Sequence, residues 1–186
     1  ITAEDFTGKR IIKLIANDIC CYASHTNFDV MGMGDEAAER LALEERSVLE
    51  ITFEDELSQE GIGRVGILPE CMTLRECASY VKETFDLDTV KVFGEEDRKV
   101  RKAAVVPGAG KDYIRQAVRA GADVYITGDI GHHDGTDALE QGLTIIDAGH
   151  FGVEQIFVPY MKEFLSRELP SLHLLSARQQ EPFWYE

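Results

Sequence analysis

Residues 144–154 read Thr144-Ile145-Ile146-Asp147-Ala148-Gly149-His150-Phe151-Gly152-Val153-Glu154. A β-branched run suited to a buried strand meets a turn of small residues, and a helix is expected from about Phe151 onward. Glu154 then follows His150 by four residues and shares its helical face. An imidazole and a carboxylate converging where a buried strand ends form half of a first-row metal site or an acid/base pair. On an isolated surface helix the same two residues would be no more than a solvated first turn.

The pattern repeats upstream. Strands are expected at residues 89–93, 102–106 and 123–126, with helices at 74–84 (capped by Thr73), 113–120 and around Ala138 and Leu139. Residues 151–165 read as a long helix and 172–175 as a last strand, ahead of a tail ending Phe183-Trp184-Tyr185. Strand and helix thus alternate at least four times, which predicts an α/β fold with mixed or parallel sheets flanked by helices.

The first third is less regular. Thr7 is expected to cap a helix through about Asn17 with Ile11, Ile12, Leu14 and Ile15 packed on one face, and Ile19-Cys20-Cys21-Tyr22-Ala23 reads as a buried strand. Met31 to Gly34 reads as a flexible connection, residues 35–43 as a helix with Ala37, Ala38 and Leu41 inward, and 47–53 as a strand. Gly61-Ile62-Gly63-Arg64-Val65-Gly66-Ile67-Leu68-Pro69 reads as a linker and a bulged edge strand. A two-domain organisation follows: residues 1–60 as part of a first α/β domain, 61–186 as a second, with a site in the cleft between them. The chain opens at Ile1 rather than Met and enters a helix almost at once, so a preceding portion is expected to be missing.

Composition narrows the function. The 186 residues, 44% hydrophobic and 28% charged, suit a soluble globular protein. The 34 acidic residues against 19 basic ones give a formal net charge of −15, which disfavours nucleic acid and anionic membrane surfaces as partners. No apolar run approaches the roughly 18 to 20 residues that span a bilayer, and a cytoplasmic protein is expected. Cys20, Cys21, Cys71 and Cys77 include no C-x-x-C pair, so neither a disulfide framework nor a thiolate metal site is expected. The turn Pro107-Gly108-Ala109-Gly110-Lys111 fails the phosphate-loop signature, because Val105 stands where a Gly is needed and Asp112 where Ser or Thr is needed.

Three strand ends carry polar clusters, at residues 24–29, 127–134 and 147–154. If the first reaches the other two, Asp29, His150 and Glu154 supply oxygen and nitrogen ligands suited to Zn, Fe, Mn or Co, with His25 close by. Adjacent residues point apart, so one of His132 and His133 is expected to face the cluster; His133 is favoured, for proton transfer or substrate hydrogen bonding.

His25-Thr26-Asn27-Phe28-Asp29, Gly61-Ile62-Gly63-Arg64-Val65-Gly66, Gly108-Ala109-Gly110, residues 121–129 and Asp147-Ala148-Gly149-His150 followed by Glu154 occur together and in order. This ordered set resembles the NIF-three-like dinuclear metal centre family, many bacterial members of which carry the name GTP cyclohydrolase one type two homologue. The resemblance implies a two-domain α/β protein with a pair of divalent metals in its cleft, assembling as a toroidal hexamer. It matches Asp29, His150 and Glu154 to metal ligands, with Glu154 bridging both ions, and His25 to a histidine beside them. The family's other ligands, an adjacent His pair followed by Pro, have no counterpart before residue 25, and His132-His133 is misplaced to replace them. A metal-dependent hydrolase acting on a small molecule is expected, through purine-ring opening or phosphoester hydrolysis, with His25 or His133 as proton carrier. The alternative is a non-catalytic metal-binding or metal-insertion protein, or a ring-forming scaffold.

Overall fold

The computed structural model describes residues 1–184; Tyr185 of the expected aromatic tail lies outside them. Helix α1 (Phe6–Ala16) precedes a loop, after which α2 (Thr26–Phe28) runs through a π-helical turn (Asp29–Met33) into α3 (Gly34–Arg40). The hairpin β1 (Glu44–Glu54) and β2 (Gln59–Thr73) follows, then α4 (Leu74–Phe85), β3 (Lys91–Phe93) and β4 (Lys99–Ala109). A 3-10 turn (Lys111–Tyr113) leads to α5 (Ile114–Arg119), β5 (Val124–Gly128), α6 (His132–Glu140), β6 (Thr144–Asp147), α7 (His150–Glu154) and α8 (Phe157–Glu168).

The strands form one six-stranded sheet in the order β1-β2-β4-β5-β6-β3. β4, β5 and β6 are parallel, while β1, β2 and β3 join antiparallel. The two-residue period of strands sorts their side chains onto two faces. Val124, Ile126 and Ile146 pack toward α3, α4 and α7 with Ala37, Ala38, Leu41, Val81 and Val153. Tyr125 and Ile145 pack on the opposite face with Ile114, Ala117 and Ala138 of α5 and α6. Burying both faces requires apolar residues at consecutive positions, hence the unbroken runs in β5 and β6. Helix α4 begins as expected: the Glu76 backbone N–H donates to Thr73 Oγ1 at 3.2 Å, and the Thr73 N–H donates to Glu76 Oε2 at 2.7 Å.

The N-terminal elements depart from the sequence reading. Asp5, not Thr7, caps α1, accepting from the Gly8 N–H at 2.6 Å. The α1 apolar stripe is only partly packed: Ile11 and Leu14 are half-buried, whereas Ile15 is 70% exposed. Residues 19–23 form a loop without a strand partner, and Cys20 and Cys21 are exposed. Asp18, in a left-handed conformation with φ 52°, turns the chain away as α1 ends. Residues 31–34 are helical, bridging α2 and α3.

Residues 61–69 lie within β2, an interior strand paired on both sides, with a register shift between Ile67 and Met72. Their glycines serve close pairing: a Cβ on Gly61 would lie 1.9 Å from the Glu50 carbonyl oxygen. The boundary expected between residues 60 and 61 falls inside this strand. Buried Arg64 joins it to α3, with Nε and Nη2 donating to Asp35 at 2.5 and 2.6 Å and Nη1 donating to the carbonyls of Gly61 and Gly63.

The expected 151–165 helix is divided at Gln155 and Ile156, because Pro159 has no N–H to continue the ladder. Residues 172–175 are not a strand. Among the described residues no helix is long and apolar enough to cross a membrane.

Candidate metal centre

The C-terminal ends of β4, β5 and β6 share one edge of the sheet, the position where parallel α/β sheets present ligand-binding groups. β6 stops at Asp147 and α7 starts at His150, so the predicted i, i+4 pair forms: His150 Nε2 lies 3.2 Å from Glu154 Oε2. The other ring nitrogen, Nδ1, lies 2.8 Å from Asp129 Oδ2. Asp129 leaves β5 with φ 59°, a left-handed conformation that costs a residue with a side chain about 1–3 kcal/mol and persists only when its surroundings enforce it.

Asp147 supplies that enforcement. Its carboxylate is 7% exposed and accepts from the Ile130 N–H at 3.0 Å and the Gly149 N–H at 3.1 Å, while Lys91 Nζ lies 2.8 Å away. One buried carboxylate thereby ties the turn after β5 to the turn before α7. Gly108 completes the approach: a Cβ there would fall 2.5 Å from Glu154 Oε1, and its φ of +79° suits glycine.

Asp29 arrives on the π-helical turn. It lines a cavity of about 210 Å³ together with His25, Phe28, Phe151, Glu154 and Gln155. Its carboxyl is half-buried, and no side-chain hydrogen bond or ion pair reaches it from the described residues. Burial pushes its pKa above the usual carboxylate value, opposed by the charges of His25 and His150. The His150 imidazole is pushed above its ordinary value chiefly by the hydrogen bond with Asp129, against burial and with help from Glu154. The His25 ring is exposed, with Nδ1 3.3 Å from Thr26 Oγ1.

Asp29, Glu154 and His25 therefore meet at one cavity, and His150 stands against Glu154. His133 does not join them: it is exposed on α6, its ring 5.5 Å from that of His132 and outside the cavity lining. Asp129 was legible only as a member of the 127–134 cluster. Its signal was an acidic residue at a strand end, and nothing local tied it to a histidine 21 positions later.

Among the described residues no three His, Cys, Asp or Glu side chains gather into a ready metal cage. The donors are instead a contacting His150–Glu154 pair and a carboxylate from a distant segment on the same cavity. Their chemistry fits a divalent cation. Asp29 is a half-buried carboxylate without a hydrogen-bond donor, and His150 has its second nitrogen on a carboxylate, the arrangement that orients histidine ligands.

The model of the Duf34/NIF3 (NGG1p interacting factor 3) family matches residues 1–182. The chain belongs to the Duf34/NIF3 family. It is 38% identical over 193 residues to a Clostridium acetobutylicum protein named GTP cyclohydrolase 1 type 2 homolog, covering 100% of this chain and 72% of that one. Among solved structures, the Bacillus cereus protein related to NIF3 superposes with a TM-score of 0.87 at 26% identity, covering 100% of this chain and 79% of the other. Reduced HcgD from Methanocaldococcus jannaschii superposes at 0.71 with 34% identity, covering 91% and 66%. This Duf34/NIF3 chain thus has the α/β fold of the NIF3 structures, with its mixed sheet flanked by helices.

Proposed function

We propose that this Duf34/NIF3 chain is a metal-dependent hydrolase whose divalent-metal ligands are Asp29, His150 and Glu154. The observation that carries the reading is that His150, held at Nδ1 by Asp129, meets Glu154 beside a cavity that Asp29 also lines, more than a hundred positions away in sequence. A bound cation would supply Lewis acidity, acidifying water and drawing electrons from a substrate oxygen.

The protein's own groups do the rest. Asp129 keeps the Nδ1 proton and so leaves Nε2 as the donor atom of His150. Glu154 and Asp29 supply negative charge on the two walls of the cavity. His25, also on its lining, carries protons between substrate and solvent. The name of the Clostridium relative suggests opening of a purine ring; phosphoester hydrolysis uses the same groups.

Metal content and turnover test the proposal together. The protein loaded in turn with Mn, Zn and Fe is expected to hold metal and hydrolyse at least one of a panel of nucleotides and phosphoesters, with Asp29→Ala and Glu154→Ala losing both properties. Retained metal without turnover would leave a metal carrier, and metal content unchanged in both variants would remove the site.

A further inference from the structure

After α8 the chain turns back over the candidate site. Residues 173–181 have no regular secondary structure, yet Gln179 is on the lining of the Asp29–Glu154 cavity and of a second cavity, of about 310 Å³, that shares Gln155 with the first. Two residues on, Glu181 covers the turn before α7. A Cβ on Gly149 would meet Glu181 Oε1 at 3.8 Å, and beyond the adjoining residues no other described atom lies within 4 Å of that point. Gly149 precedes His150, so the segment crosses from the cavity to the helix that carries His150 and Glu154.

Its attachment is slight. Among the described residues, 173–182 make no hydrogen bond or ion pair with the rest of the protein, and in that segment Leu174 and Glu181 alone are half-buried. Segments with few buried contacts and solvent-exposed backbone open at little cost in free energy. Pro182 lowers the entropy lost on closing, because it restricts the residue before it, Glu181, to extended conformations.

Charge decides which way the segment moves. Asp29, Glu154 and Asp129 bring three carboxylates to the cavity and to His150, and no lysine or arginine is among the cavity's lining residues. Glu181 is a fourth carboxylate, repelled by the others in the metal-free protein. A divalent cation on Asp29, His150 and Glu154 reverses the sign of that interaction.

We infer that residues 173–182 are a strap that a bound divalent cation draws shut through Glu181, laying Gln179 over the cavity. The inference rests on the proposed metal centre and adds a moving part that the centre does not require. The coupling is reciprocal: a cation that holds the strap closed is itself held more tightly by the strap.

Trypsin reads the strap directly, since Arg178 precedes Gln179 within it. Saturating Mn should slow cleavage after Arg178 roughly five-fold or more, followed by mass spectrometry against a free arginyl peptide in the same digest. Glu181→Gln should remove that protection and weaken Mn binding in calorimetry by the same factor, with an unchanged circular dichroism spectrum. Bound Mn with unaltered cleavage of the wild-type protein, or undiminished protection or Mn affinity in Glu181→Gln, would overturn the strap and leave the metal centre standing. A wild-type protein that binds no Mn would remove both.

Discussion

Asp129 Oδ2 and His150 Nδ1 lie 2.8 Å apart, joining the turns that follow two neighbouring parallel strands. The pair determines which face of the imidazole is left for Glu154 and for a ligand. Replacing Asp129 with Asn or Ala is expected to weaken divalent-metal binding about 10- to 100-fold, the range found when such orienting carboxylates are lost. Titration of the protein with Mn or Zn by calorimetry checks this. Affinity equal to wild type would make Asp129 a bystander.

The same pair predicts a pH dependence in the metal-free protein. The pKa of His150 is raised by folding, so its contribution to stability is fully present below the ordinary imidazole value of 6.5 and is lost as pH rises through the raised one. In Asp129→Asn that contribution shrinks. Denaturant unfolding of the two proteins at pH 5.5 and pH 8.5 should show a larger loss with rising pH in wild type, and His150 titrating at lower pH in the variant by NMR.

Gly108→Ala tests how closely β4 must approach Glu154. The added Cβ falls 2.5 Å from Glu154 Oε1 at a position with φ +79°, so Glu154 has to move and the backbone is strained by about 1–3 kcal/mol. Lower thermal stability and weaker metal binding are expected together. A stable variant with unaltered affinity would show that Glu154 is not held where the site needs it.

Cys77 is buried, and burial pushes its thiol from 9.0 to about 12; Cys20, Cys21 and Cys71 are exposed. A thiol reagent at pH 8 should therefore modify three cysteines in the native protein and all four after denaturation. Because the folded pKa is raised, the stability contributed by the neutral thiol is full below about pH 9 and is lost as pH rises toward about 12. Cys77→Ala should remove that part of the alkaline loss.

Arg64→Ala leaves the Asp35 carboxylate and the Gly61 and Gly63 carbonyls without their guanidinium. Asp35 is 52% exposed and regains water, so the cost falls on the two buried carbonyls left without a donor, about 1–3 kcal/mol, and each kcal/mol lowers Tm by about 2–4 °C in a chain of this size. A melting temperature within a degree or two of wild type would contradict the role given to this pair.

Residues whose placement depends on local rules were legible in the sequence. The runs of β5 and β6, the Thr73 cap and the His150–Glu154 spacing all follow from periodicity, capping and helical geometry, and they form. The site drawn from distant segments was only partly legible. Asp29 could be named from its polar cluster, while the Asp129 contact depends on a left-handed turn stabilised by Asp147. Two of the departures share a cause: apolar character alone does not bury a segment. Residues 19–23 and 172–175 are apolar enough for strands but have no strand beside them, and the glycines of 61–66 mark close pairing inside a sheet.

The proposed site requires one cation to be shared by groups from the π-helical turn and from α7. Anomalous diffraction from crystals of the Zn-loaded protein tests it most directly. A peak in contact with Asp29, His150 Nε2 and Glu154 together is expected; a peak elsewhere, or one touching His150 and Glu154 with Asp29 remote, would remove the shared site.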